Sequence, residues 1–377
     1  MPDQLPDHLI ELRERVEALS TDTLVPLATD PDLIGGELAA AVRTASTEAG
    51  LFAMTQPTEI GGTAAGPLAL AVVRDTLGHH AVGHLPGLFG PSPGALAGVG
   101  EPLRSAVLVP FLAGELRTGF ALTEPDSAER HTWAEVVTGD DGEDELVING
   151  QKSYVTGGGD ADVLTVLVEV DDMGPAMIVV ETDRAGVELI RRFGTLDGSH
   201  HAVFTFTDVR VPRSHVIGEA GSGMRVAIST VTQVRMAIAA DAVGLSRHVV
   251  DHVGRHLRRP HRSGRPIGAL ERNRLRYGEL RARTYAARAT LYRTARLLEA
   301  GDAAVNEAMA AKLIATETVG AVVDEALQLV GGQALSDDHP LSAIYRRVRA
   351  MRLAEGASDV LRINIARGDL DLELGRL

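Results

Sequence analysis

The hydrophobic period of this chain switches twice, and those switches constrain its architecture more than any single residue does. Up to about Gly114, segments such as HLIELRERVEALS and ELAAAVRTASTEAG carry apolar residues at helical spacing, punctuated by the Gly/Pro clusters GGTAAGP and LPGLFGPSPG. From about Glu115 to Gly218 the pattern becomes short β-branched runs bounded by turn residues: RTGFALT, DELVING, DVLTVLVEV, AMIVVE, GVELI and HAVFTFTDVRV. DDGEDE and DDMGP read as hairpin connections, and Gly150 as a tight-turn residue. From about Gly221 helical spacing returns in four long amphipathic stretches, the last being LSAIYRRVRAMRLAEGASDVLRINIARGDL. The expectation is an α+β chain in three parts. A helical domain covers 1–114, an antiparallel β domain 115–218, and a C-terminal four-helix bundle 219–377.

The 377 residues exceed what one hydrophobic core usually serves. A formal net charge of -14 argues against nucleic acid as the main partner, because phosphate binding needs a basic surface. There is no cysteine, which removes disulfides, thiolate catalysis and Cys-ligated metals, and makes a reducing cytoplasm the simplest location. The N-terminal MPDQLPDHLIELRERVEAL is charged and lacks the apolar block of a signal peptide. No apolar run is expected to reach membrane-spanning length. Basic residues are nearly all Arg, which reads as compositional bias. His79 and His80, like His200 and His201, are adjacent and do not face one way on a regular element, so no metal site is expected. No Walker loop or dinucleotide glycine fingerprint opens a βα unit, which leaves nicotinamide chemistry unsupported.

Four segments remain: FALTEPDSAER, INGQKSYVTGGG, LQLVGG and LAEGASDVLR. Taken singly they are a strand exit, a cross-strand Tyr and Thr, a glycine helix stop and a surface Glu. In this order, each in its own region, they resemble the acyl-CoA dehydrogenase family. The resemblance runs from about PFLAGE to the end of the chain, while the N-terminal helices match by pattern only. It implies non-covalent FAD and oxidation of an acyl thioester to its trans-2-enoyl form, with an electron-transfer flavoprotein as reoxidant.

The resemblance also distributes roles. Phe120, Leu122 and Thr123 would meet the flavin's pyrimidine edge. Tyr154 would lie against the flavin ring, with Val155 beside it and the Thr156 hydroxyl donating to the nitrogen that accepts hydride. Gln328, Gly331 and Gly332 would approach the adenosine-diphosphate half of a neighbouring subunit's FAD, which implies a homo-oligomer, a dimer or tetramer. Ala357 and Asp359 complete the cofactor set, Ala357 standing where the family usually has Thr. Glu129, Arg235, Gly356 and Arg362 fall to the substrate, Gly356 leaving room for the acyl chain. Glu355 would be the base. The proton next to a thioester carbonyl is weakly acidic, so its base must be close, partly desolvated and raised in pKa.

The chain departs from the family in RRPHRSGRPIG. Pro260 stands where an Arg usually reaches FAD pyrophosphate, Ser263 replaces a Phe and Glu271 a Gln. Arg258, Arg259 or Arg262 would have to substitute. Glu129 occupies the usual Ser of a phosphate-facing loop, unfavourable beside CoA, which opens an acyl-carrier-protein substrate as an alternative. The eroded FAD-donor motif opens another: a catalytic subunit in a heteromer with a related chain. Two further readings are a same-fold flavin monooxygenase or oxidase, which Glu355 opposes, and a FAD-free partner subunit, which Tyr154, Thr156 and Glu355 oppose.

Overall fold

The computed structural model describes residues 4–139, 142–219, 221–260 and 264–375. Helices α1 (Asp7–Leu19), α2 (Val25–Thr29), α3 (Gly35–Glu48), α4 (Pro67–His79) and α5 (Val109–Ala113) come first. Strands β1 (Thr118–Ala121), β2 (Trp133–Thr138), β3 (Asp144–Thr156), β4 (Val163–Val170), β5 (Gly174–Glu181), β6 (Val187–Gly194) and β7 (His200–Pro212) follow. Helices α6 (Gly223–Arg258), α7 (Glu271–Glu299), α8 (Val305–Val330), α9 (Pro340–Met351) and α10 (Ser358–Leu370) close the chain. These elements group into two compact units. One comprises Met1–Met54, Gly61–Phe89 and Thr232–Leu377, the other Thr55–Ile60 and Gly90–Val231.

The sheet of the second unit has seven strands in the order β1-β4-β2-β3-β7-β6, with β5 on β4. It is mixed rather than wholly antiparallel, because β1 and β2 both run parallel to β4. DDMGP connects antiparallel β4 and β5, with Asp172 and Gly174 at φ +62° and +75°. DDGEDE joins β2 to β3, its Asp140 and Asp141 lying outside the described residues. One face of the sheet buries Leu146, Ile148, Val155, Leu164, Val166 and Phe204. Val163, Met177 and Val179 pack instead with Leu96, Leu103 and Leu108. Gly150 is no hairpin tip. It sits inside β3 at φ +142°, at a register shift against β7, and a Cβ there would lie 2.6 Å from Thr132 Cα. The glycine serves a bulge and close backbone approach.

In the helical unit, α6, α7 and α8 bury Ala239, Val243, Val249, Leu291, Ala315 and Val322 in one core that Leu341 and Ile344 of α9 join. By length and composition alone α6 is apolar enough to cross a membrane, against the expectation from sequence. Its buried Met236, Ala239 and Val243 belong to this core. Helices α4 and α6 meet backbone to backbone, since a Cβ on Gly244 would lie 2.5 Å from Asp75 O and 2.7 Å from Gly78 Cα. The last predicted helix is two. It breaks between Met351 and Ser358, and the break carries the candidate base.

Candidate active site

Within that break Glu355 has φ +52° and Gly356 φ +106°. A Cβ on Gly356 would lie 3.0 Å from Leu361 Cδ2 and 3.5 Å from Arg235 Nη2, so both conformation and space call for glycine. A Glu held at positive φ costs on the order of 1–3 kcal/mol and persists only where the surroundings impose it. Here they do. Arg235 of α6 donates from Nε to the Glu355 carbonyl at 2.9 Å, and Lys312 of α8 donates from Nζ to the Gly356 carbonyl at 2.8 Å. Glu317 of α8 braces both sides of the break, accepting from Arg352 Nε at 3.0 Å and Ser358 Oγ at 2.6 Å. The amide N–H groups of Glu355 and Gly356 have no acceptor among the described residues.

Burial raises the Glu355 pKa, and the Arg235 and Lys312 charges oppose the rise without cancelling it. Lys312 is pushed down to about 8 by burial and by Arg235, with Glu355 and Glu317 pulling the other way. The segment is therefore a half-buried carboxylate of enhanced basicity beside two unspent amide donors. Ala357 caps α10. Arg362 is engaged by Asp359 at 2.7 Å and lies 3.8 Å from Glu317. Gln328 is exposed near the end of α8, Gly331 ends that helix at φ +89°, and Gly332 follows. Arg258 closes α6 and Arg259 follows it, while Arg262 and Ser263 lie outside the described residues.

In the sheet unit, an ion pair between a buried lysine and a half-buried glutamate joins two of the motifs. Lys152 Nζ donates to Glu124 Oε1 at 2.8 Å and to the Leu122 carbonyl at 3.2 Å, and Ser153 N–H donates to the Thr123 carbonyl at 2.8 Å. The strand exit of FALTEP is thus fixed by the β3 residues just before Tyr154. A second register shift in β3, between Lys152 and Val155, carries Tyr154 at φ +53°. The residue is 60% exposed, yet its ring packs edge-on against Phe193 at 5.2 Å and His201 at 5.9 Å. Thr156 Oγ1 lies 3.2 Å from His201 Nδ1. Val155 is buried in the sheet core, which leaves only its backbone for a ligand. Phe120 and Leu122 pack against the apolar cluster on the other face, and Glu129 is exposed in the loop beyond Pro125.

Glu124 and Lys152 yield a stability prediction. Burial works to raise the Glu124 pKa, but hydrogen bonds from Lys152, the Thr132 N–H and His131 outweigh it and hold the carboxyl at about 2. The folded value lies below the ordinary 4.5, so this stabilisation is present above pH 4.5 and lost as pH falls toward 2. Glu124→Gln is expected to cost about 3 kcal/mol at neutral pH, because Lys152 keeps a buried charge without a counter-charge, and to flatten acid unfolding over that window. Fluorescence of Trp133, the single tryptophan, in acid and urea titrations checks both effects.

Four of these residues went unmarked by motif reasoning: Glu124, Lys152, Lys312 and Glu317. A signal was there for two of them. Among 37 basic residues the chain has two lysines, Lys152 and Lys312. Both are buried and each holds a backbone carbonyl of a site loop. Arginine serves elsewhere in this chain, whereas these two niches hold a compact ammonium on a thin stem.

Known proteins resemble this chain over most of its length. Residues 119–209 match the model "Acyl-CoA dehydrogenase, middle domain" and residues 221–370 match "Acyl-CoA dehydrogenase, C-terminal domain". The chain is similar to acryloyl-CoA reductase (NADH) of Anaerotignum propionicum, 28% identical over 85% of this chain and 84% of that one. It is also similar to human mitochondrial short-chain specific acyl-CoA dehydrogenase, 26% identical over 84% of this chain and 79% of that one. Its fold matches an acyl-CoA dehydrogenase from Bacillus anthracis solved with FAD, at TM-score 0.80 and 22% identity, over 99% of this chain and 69% of that one.

The residues present fit a flavin. Tyr154, Phe193 and His201 form a partly exposed aromatic surface beside the Thr156 hydroxyl. At the end of α8, added Cβ atoms on Gly331 and Gly332 would meet nothing within 4 Å, so the backbone there is open to a large ligand. The two family models together span well over half of the chain, which belongs to the acyl-CoA dehydrogenase family of FAD-binding oxidoreductases acting on CH–CH bonds.

Proposed function

We propose that this chain oxidises a saturated acyl-CoA thioester to the trans-2-enoyl-CoA, with Glu355 as the α-proton base. The observation that carries this is the braced break between α9 and α10. It presents a half-buried carboxylate of raised pKa whose backbone is held by Arg235 and Lys312. A carboxylate oxygen of Glu355 takes the proton. The unspent N–H groups of Glu355 and Gly356 are suited to the thioester oxygen as it gains charge. FAD, when bound, supplies the hydride acceptor. Tyr154 and Thr156 would hold it, together with the backbone of Leu122 and Thr123. The names of the two relatives support CoA over a carrier protein, and the reductase name supports the same bond chemistry run in reverse. The reading includes an electron-transfer flavoprotein as electron acceptor and a cytoplasmic location.

A panel of saturated acyl-CoAs, incubated with FAD-loaded protein and an electron acceptor, tests the reaction. Mass spectrometry should find a product two hydrogens lighter for at least one member. Enoyl product from none of them would overturn the reading.

Lys312 gives a sharper expectation. Glu355 must be ionised to act, so kcat/KM should rise with pH through its raised pKa. Lys312→Met removes a positive charge that opposes that rise, so the acidic limb should move to higher pH. Below the limb, kcat/KM should fall about tenfold for every pH unit by which the limb moves, and it should recover on the alkaline side. An unmoved limb with a uniformly lower rate would make Lys312 a packing residue only.

We also propose self-association. Leu335, Val360, Ile363 and Leu370 are large, apolar and exposed, a pattern suited to a subunit interface. Light scattering of the protein produced alone should give a dimer or tetramer with full FAD content. A FAD-poor monomer would favour pairing with a related subunit.

A further inference from the structure

A second feature of the helical unit bears on the substrate. Where α4 and α6 cross closely, a small cavity of about 40 Å³ lies, lined in part by Gly78, Gly83, Leu245 and Met351. Three polar side chains complete it: His84, Asp241 and Arg347. Asp241 is the unusual member. Its Oδ2 accepts from Arg74 Nη1 at 2.9 Å, but its Oδ1 is buried without a hydrogen-bond partner among the described residues. Burial raises the Asp241 pKa against the charges of Arg74 and Arg347, which marks the site as poorly solvated. His84 is pushed down to about 4 by burial and by Arg347, so its ring is neutral near pH 7 and offers one donor and one acceptor. A buried carboxylate oxygen without a donor is costly, and such groups in folded proteins ordinarily have a partner.

Two helices connect this cavity to the Glu355 segment. On α6, Arg235 contacts the Glu355 carbonyl and Asp241 follows six residues later, about 9 Å along the axis. On α9, Arg347 and Met351 line the cavity and Glu355 follows Met351 by four residues. The cavity and the Glu355 segment are thus near neighbours along α6 and α9.

We propose that the cavity receives the far end of the acyl group and selects one that ends in a neutral group able both to donate and to accept, a hydroxyl or a carboxamide. Such a group donates to Asp241 Oδ1 and accepts from His84 or Arg347. A terminal carboxylate would meet Asp241 as a like charge. A terminal ammonium would meet Arg74 and Arg347. A plain methyl end would leave Oδ1 desolvated and unpaired. The inference rests on the reading of Glu355 as the base and adds the substrate class to it.

The test compares hexanoyl-CoA with ω-hydroxyhexanoyl-CoA on the FAD-loaded protein, by calorimetric affinity and by anaerobic flavin reduction. The hydroxy thioester should be preferred at least about tenfold in both, because a site built around a hydrogen-bonded hydroxyl discriminates strongly against the analogue without it. In Asp241→Leu the ratio should fall to about one or reverse. His84→Leu, which disturbs no ion pair, should lower it in the same direction if Asp241→Leu proves unstable. Equal affinities in the wild type, or a ratio that neither variant moves, overturns the cavity's role. Flavin that neither thioester reduces, with the affinity ratio intact, overturns the proposed reaction and leaves the cavity assignment standing.

Discussion

Glu355→Gln is expected to fold, bind FAD and lose flavin reduction by saturated acyl-CoA about 10³- to 10⁴-fold, the upper part of what one acid–base group contributes. The substitution keeps size, hydrogen-bonding atoms and the positive-φ backbone. Arg235 and Lys312 bond to the carbonyls of residues 355 and 356 rather than to the carboxylate, so the break keeps its braces. Removing a negative charge between two cations should also ease no packing defect, which leaves the proton transfer as the step lost. Stopped-flow measurement of the anaerobic half-reaction checks this. A loss below tenfold with unchanged substrate affinity would move the base elsewhere.

The largest expected effect on stability lies away from the chemistry. Asp75 on α4 is fully buried and takes hydrogen bonds from Arg247 of α6 at 2.7 Å, Arg288 of α7 at 2.9 Å and the Tyr292 hydroxyl at 2.9 Å. One carboxylate thus ties three helices. Asp75→Asn would leave two arginines facing an uncharged amide in the core, and breaking a buried network from one side costs about 3–5 kcal/mol. Calorimetry should show the melting temperature of the variant lowered by roughly 10 °C. The hydrophobic replacement Asp75→Leu should do no better, because the two charges remain. A change under about 1 kcal/mol would mean that water already shares the site.

How far the sequence carried this reading differs from element to element. The helix–sheet–helix order was legible because period 3.6 and period 2 are local properties. The parallel pairings of β1 and β2 with β4 were not, since alternation along a strand reveals its faces and not its neighbours. Gly150 after Asn149 carries a strong hairpin signal, yet β7 pairs along both sides of it, and tertiary contact turned the turn into a bulge. The break at Glu355 was hidden for a related reason. RVRAM and VLRINIAR both keep helical spacing, and only the Glu-Gly pair interrupts them. Lys312 was invisible as a motif because its partner is a backbone carbonyl 44 residues away, a contact without side-chain identity. Asp241 sits in an Ala-rich helix, where one acid reads as surface until burial is known.

The central claim is that Glu355 moves the α-proton, and isotope exchange reads this without waiting for turnover. FAD-loaded wild type and Glu355→Gln would each be held with a slowly oxidised acyl-CoA in deuterated buffer, and the thioester analysed by mass spectrometry. The account predicts deuterium at the α-carbon with wild type and none above background with the variant. Equal exchange by both proteins would contradict it.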